Sequence, residues 1–381
     1  MNDNVVHQLT TEKGRKHLQD KSSTYMTARS AIIVAENHAR AANRTALPKL
    51  PPAPGFDGAE EFAKQVQAWK NWIDWEKSDP LEIKDEDRDT YNKRVLYIYK
   101  NALAALRFWP EMWFDAAEWS FQNSMNDEGN AFLKSGMEAN PESCLLAFKR
   151  SHHLELRTDF EDGDAGLLEK GKVVREPLDT VISTLYDLIT KVKKREERSI
   201  AMAKEHFAAQ QAAAEAARAA SDKGSDVEDD EDEESSAATQ QQKEKQAQFD
   251  AQLHGISTAA TAEIFILKKT LTFAWIALMR AMRRVQGKGG AKGSAVPGFR
   301  GVFGEARKKG KLLSDAYVAS ALIEHHCYQD AAAGKIFERG MKLFPDDENF
   351  ALEYIKHLIK LNDATSKSHD LSKLVDSAYH A

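Results

Sequence analysis

The chain has 381 residues, 42% of them hydrophobic and 29% charged, with a formal net charge of −6. No stretch reaches the roughly 20 uninterrupted apolar residues of a bilayer span, and the polar start Met1–Asp20 does not read as an export leader, so neither is expected. Cys144 and Cys327, the only cysteines, lie far apart in sequence, which argues against a disulfide scaffold and a zinc site and for a reduced intracellular setting.

Residues 1–56 read as a mobile tail with one weak helical pattern at Met26–Ala42, closed by a proline-rich link (Pro48, Pro51, Pro52, Pro54) that forces extended backbone. The first strong helix opens at Asp57, with Glu60 three residues on as a capping box. Phe62, Val66, Trp69 and Ile73 then recur at three- and four-residue spacing, and Asp79-Pro80 ends the pattern. A second helix is expected from about Thr90 to Leu106. Pro110 sits where a third would begin, its ring pre-setting φ and Glu111 next to the positive helix end. Six of the seven tryptophans fall between Trp69 and Trp119, in two clusters.

The pattern then repeats. Ile98-Tyr99-Lys100-Asn101-Ala102-Leu103 aligns with Phe132-Leu133-Lys134-Ser135-Gly136-Met137, and Val302-Phe303-Gly304-Glu305-Ala306-Arg307 with Ile336-Phe337-Glu338-Arg339-Gly340-Met341, each pair 34 residues apart. Pro110, Pro141 and Pro345 follow three of these segments as expected helix openers. A 34-residue period with two amphipathic helices per unit predicts an all-α, TPR-like α-solenoid. The small residues Ala102, Gly136 and Gly340 are placed to let paired helices approach.

Further along, a helix runs from Asn140 to about Leu156, Thr158–Gly171 reads as a loop or short helix, and Pro177 opens a helix with Leu178, Val181, Ile182, Leu185, Leu188 and Ile189 as its buried stripe. From Lys193 to about Gln248 the composition turns charged and alanine- or glutamine-rich. Ser221–Ser236 carries nine acidic side chains and one lysine, so this run is predicted to be disordered, with flanks such as Ala208–Ala220 extending the neighbouring helices. Ser225, with Glu228 three residues on, suits an acid-directed kinase. Periodicity resumes at about Ala259 with Ile264, Leu267, Leu271, Trp275, Leu278 and Met282 on one face. A glycine-rich link at Gly287–Gly298 has no strand before it and no Gly-Lys-Ser/Thr ending, which argues against a phosphate loop. Helices follow at Phe299–Lys309, Asp315–Tyr328, Ala331–Leu343 and Glu348–Leu361, about five pairs in all. The chain therefore divides into a tail (1–56), repeats (57–192), a largely disordered acidic insertion (193–248), repeats (249–363) and a divergent tail (364–381).

Little here points to chemistry. His152-His153 and His325-His326-Cys327 are adjacent residues that point about 100° apart on a helix, and no second cluster completes a metal site. No catalytic residues, cofactor, metal or small-molecule substrate are expected. The basic stretch is more informative: Arg280–Lys311 holds ten lysines and arginines against Glu305 alone, a net of +9. Arg283, Arg284, Arg307, Lys308, Lys309 and Lys311 are candidate contacts for RNA phosphates or an acidic partner, with a plain solvated face and an import signal at Lys308–Lys311 as the alternatives. The acidic run, folded back on this stretch, would screen it.

The wording of the repeats carries a resemblance. The ladder Trp69-x-x-Trp72-x-x-Trp75-Glu76, followed by a helix with Tyr99, resembles the HAT repeat of RNA-processing factors. Phe108-Trp109-Pro110-Glu111-Met112-Trp113, Ala116-Ala117-Glu118-Trp119, Ala139-Asn140-Pro141-Glu142-Ser143 and Lys335-Ile336-Phe337-Glu338-Arg339-Gly340 are similar to the suppressor-of-forked family, over roughly residues 47–362 apart from the insertion. Trp69, Trp72, Trp75, Glu76, Tyr99, Trp113, Trp119, Trp275 and Phe337 form the HAT signature. The resemblance implies the large HAT-repeat subunit of cleavage stimulation factor, in fungi the scaffold of cleavage factor IA. It further implies a non-catalytic nuclear role, with cytoplasm as a second compartment, in pre-mRNA 3′-end cleavage and polyadenylation. Its partners would be other cleavage and polyadenylation subunits, with a weak, salt-dependent RNA contact and no membrane. The family homodimerises through a further HAT half, and this chain resembles the N-terminal half alone. A HAT scaffold of the spliceosome or of ribosome biogenesis, and a direct RNA-binding module acting through residues 280–311, are the alternative readings.

Overall fold

A computed structural model describes residues 12–42, 58–221, 231–289 and 296–365, and every described element is an α-helix. In order these are α1 (Glu12–Ala41), α2 (Ala59–Lys77), α3 (Arg88–Ala105), α4 (Pro110–Gln122), α5 (Asn126–Ala139), α6 (Cys144–Glu155), α7 (Asp164–Ser221), α8 (Glu231–Gln286), α9 (Gly298–Lys309), α10 (Asp315–Tyr328), α11 (Ala332–Leu343) and α12 (Glu348–Thr365). They fall into two compact units, residues 1–150 and 151–381. The all-α helix-pair architecture is the one the period implies.

In the first unit α1 packs on α2, α2 on α3, α3 on α4 and α4 on α5. Trp69 and Tyr99 are fully enclosed, and Phe62, Trp72, Ile73, Val95 and Leu103 join them in the core. Trp69 and Trp72 stack at 5.5 Å between ring centroids. Glycine at 136 is required by close approach: a Cβ there would come within 2.9 Å of the Trp113 side chain. In the second unit α7 and α8 form a long antiparallel hairpin, α9 and α10 pack on α8, and α10–α12 pack on one another. Trp275, Phe299, Phe337 and Phe350 are fully buried there.

Several sequence expectations need correction. The segment 12–41, read as tail, is a 30-residue helix whose end is anchored by buried Ala31 and Ala42 and by His38 against Trp75 at 5.5 Å. The capping box gives way to Gly58, which caps α2 with a positive φ of 90°, while Asp57 lies outside the described residues. For α3 the cap is Asp87, whose carboxylate accepts from the Thr90 N–H at 3.0 Å. Pro110 does open α4. Pro141 and Pro345 instead occupy the second position of turns in which the Ser143 N–H donates to the Asn140 carbonyl and that of Asp347 to Phe344.

The largest differences concern α7 and α8. Pro177 lies inside α7 rather than opening it. An interior proline costs about 3 kcal/mol, but Val174, Leu178, Val181 and Ile182 around it are all at least 99% buried, and each such burial contributes roughly 1.5–3 kcal/mol. Residues 193–221 and 231–248 continue these helices, as expected of flanks such as Ala208–Ala220 but over a longer span than the composition implies. Phe207 stacks on Phe249 with ring centroids 4.1 Å apart, and Arg195 pairs with Glu263, holding the register. Extending an existing helix of alanine-rich sequence avoids the nucleation cost. Residues 222–230, including Ser225, and 366–381 lie outside the described residues.

Candidate interaction surface

The HAT signature is mostly interior. Trp69, Trp72, Glu76, Tyr99, Trp119, Trp275 and Phe337 are buried, and Trp75 and Trp113 are half-buried. Glu76, 3% exposed, accepts from Arg94 Nε at 2.5 Å. Tyr99 donates its hydroxyl to Asp115 at 2.6 Å, and burial together with that carboxylate pushes its ionisation far above the ordinary tyrosine range. Lys77 Nζ completes this cluster, 3.2 Å from Asp115 and over the Tyr99 ring. These residues position helices; they do not present a surface.

An acid–base tie of the same kind recurs in the second unit. Arg300 on α9 donates to both oxygens of the buried Glu324 on α10, at 2.5 and 2.8 Å, and to Asp330 at 2.9 Å. Lys288 donates to Asp330 at 2.6 Å, and this bond, with the Ala332 N–H and Arg300, holds the Asp330 carboxyl far below the usual carboxylate range. Neither Arg300 nor Glu324 stood out in the sequence, because the pairing joins residues on different helices.

The basic stretch splits in two. Arg284 makes a two-pronged pair with Glu155, at 2.5 and 2.7 Å, and Lys309 lies 3.6 Å from Glu305, which Arg175 also contacts at 3.0 Å. Lys309 also lies over the Trp275 ring at 5.4 Å. Arg307 covers the Phe303 ring at 5.0 Å, and Lys311 the Tyr186 ring at 5.4 Å. Tyr186 in turn donates its hydroxyl to the Gly310 carbonyl at 2.8 Å. Arg307, Lys308, Lys309 and Lys311 are all exposed and cluster at the end of α9; Arg283 is half-buried on α8. Among the described residues, Arg283, Arg307, Lys308 and Lys311 are in no ion pair, whereas Arg284 and Lys309 are.

Residues 222–230 of the acidic run lie outside the described residues, and the hairpin that leads to them runs away from this cluster. The 36 residues of α7 from Tyr186 to Ser221 rise about 1.5 Å each, which carries the end of the helix about 50 Å along the axis. The Debye length is about 8–10 Å at ordinary ionic strength.

The remaining polar cluster is a group of histidines on α10 and α12. His325 lies edge-on to His357 at 4.7 Å, and His357, buried against Phe337, has its pKa lowered to about 4 by burial and by the neighbouring cations. His357 was not picked out in the sequence; its position on an amphipathic face was the available signal. Among the described residues no group of three or more His, Cys, Asp or Glu could hold a metal ion, and no helix is long and apolar enough to cross a membrane.

Comparison with known proteins matches residues 4–377 to the family described as Suppressor of forked protein. The chain is 54% identical over 350 residues to the mRNA 3′-end-processing protein rna14 of Aspergillus fumigatus, covering 92% of this chain and 32% of that protein. It is 47% identical over 369 residues to the rna-14 protein of Neurospora crassa, covering 93% and 30%. It therefore spans about a third of the length of the curated relatives it matches. The crystal structure of CSTF-77 aligns over 78% of this chain and 48% of that chain with a TM-score of 0.38 and 14% identity.

Proposed function

The chain belongs to the suppressor-of-forked family, and from that premise we infer that it is a non-catalytic scaffold segment of the nuclear machinery that cleaves and polyadenylates pre-mRNA. The observation that carries this reading is the match along 92% of the chain to fungal proteins named for mRNA 3′-end processing. The physical character of the fold supports the scaffold part. Its buried aromatic and ionic groups pack one helix against the next, as in Glu76–Arg94 and Arg300–Glu324, which leaves the outer helix faces for partners. Its partners on this reading are other cleavage and polyadenylation subunits.

Affinity purification of the tagged chain from nuclear extract, followed by mass spectrometry, tests the assignment. Recovery of cleavage and polyadenylation subunits is expected. Recovery of spliceosomal or pre-ribosomal proteins instead would move the chain to another ribonucleoprotein scaffold.

A second reading has its own observation. Arg283, Arg307, Lys308 and Lys311 keep their charge without an acidic partner among the described residues, so they supply a phosphate-binding contribution of the RNA-backbone kind. Such binding weakens steeply with salt and is insensitive to base sequence. Replacing Arg307, Lys308 and Lys311 by alanine flattens the salt dependence of RNA affinity if they neutralise phosphates.

A further inference from the structure

Helix α8 is apolar on more than one side. Between Leu271 and Met282 it buries Leu271, Ala274, Trp275, Leu278, Met279 and Met282 against its neighbours. Its opposite side carries Phe265, 55% exposed, Ile266, 64% exposed, and Phe273, 51% exposed. At 100° per residue these three share a face with Ala262, Lys269 and Arg280, all exposed, and with Ile276, which is buried. The three large side chains alone leave on the order of 300 Å² of apolar area in water, the size of patch that on a monomer is often functional. A helix that is hydrophobic all round is normally covered all round.

The charges on this face decide what covers it. Both of its ionic residues, Lys269 and Arg280, are cations, and the nearest acid on the helix, Glu263, points elsewhere and is paired with Arg195. A second copy of the same face would set cation against cation. RNA would find two phosphate contacts and two rings, with Ile266 between the rings offering nothing to stack on. A helix with apolar residues at three-, four- and seven-residue spacing, flanked by carboxylates, fits both the ridge and its charge.

We propose that the exposed face of α8 around Phe265, Ile266, Lys269 and Phe273 is the docking site for an acidic amphipathic helix of a partner protein. This deepens the scaffold reading by naming a surface and the chemistry of what it holds. Phe265 and Phe273 anchor the partner in its apolar seam, while Lys269 and Arg280 meet its carboxylates and set its direction.

The test uses the full chain and a display library of 20-residue amphipathic helices with randomised flanking charges. The library is selected on the wild-type chain and counter-selected on the Phe265→Asp/Phe273→Asp variant, whose helicity and melting temperature are checked first. Both residues are exposed, so the variant is expected to fold. The expected result is enrichment of net-negative helices with an apolar seam, binding the wild type at least ten-fold more tightly than the variant, with Lys269→Glu reversing the charge preference. Enrichment of basic helices, or no clone that discriminates wild type from variant, overturns the proposal. So does sedimentation showing self-association of the wild type that the variant abolishes, which would assign the face to a second copy. Loss of single-stranded RNA binding in the variant without any selected helix would assign it to nucleic acid. None of these readouts depends on the processing pathway, so failure here and failure of the purification experiment are distinguishable.

Discussion

Breaking the Glu76–Arg94 pair from the arginine side should destabilise the first unit strongly, whereas replacing both partners should not. Glu76 is 3% exposed and its contact with Arg94 Nε is 2.5 Å, while the Arg94 side chain is 36% exposed. Arg94→Met keeps the stem that lines the cleft with Trp72 and Tyr97 and leaves a buried carboxylate without a counter-charge. Removing one partner of a buried pair costs about 3–5 kcal/mol, and water reaching the arginine's exposed side places this case near the lower end. At roughly 2–4 °C per kcal/mol for a unit of this size, the melting temperature should fall by about 6–12 °C. Glu76→Met/Arg94→Met, which buries no charge, should lie within about 1 kcal/mol of the parent and give a coupling energy above about 2 kcal/mol. Tryptophan fluorescence during urea unfolding isolates the response, because six of the seven tryptophans lie in the first unit. The reasoning fails if Arg94→Met costs less than about 1 kcal/mol or if the double variant is as unstable as the single one.

Three further outcomes follow from the second unit. His357 is held neutral with a pKa of about 4 against 6.5 for the free side chain, so its unfolded form takes up a proton first as pH falls. Stability is thus full above about pH 6.5 and declines toward pH 4. Between pH 7 and 5 the loss is about 2 kcal/mol in urea unfolding, and His357→Phe should remove that slope. Gly340→Ala should destabilise by about 1–2 kcal/mol in a thermal melt despite alanine's better helix propensity, because the overpacking cost exceeds the propensity gain; its Cβ would come 2.1 Å from Phe350 Cζ. Deleting residues 222–230 should leave the affinity of the α9 basic cluster for single-stranded RNA unchanged within about two-fold at low salt, since the Debye length is far shorter than the hairpin. A several-fold gain would restore the fold-back arrangement.

The sequence alone determined what depends on local periodicity. Trp69, Ile73, Tyr99, Trp275 and Phe337 recur at helical spacing, and that spacing by itself assigned them to buried faces and α10 to Asp315–Tyr328. The 34-residue period and the motifs around Trp72–Glu76 and Phe337–Gly340 carried the helix-pair architecture and the family. Tertiary structure decided whatever depends on which helices become neighbours. Composition reads residues 193–248 as unable to bury a core, yet α7 and α8 support each other there through Phe207 on Phe249. The +9 stretch reads as one basic region, but Glu155 and Asp330, far away in sequence, neutralise Arg284, Lys288 and Arg300 and leave the charge concentrated at the end of α9. Along α8 the apolar residues run all the way round the helix, so periodicity could not say which side would be covered. Only the positions of α7, α9 and α10 show that Trp275 is enclosed while Phe265 and Phe273 face water.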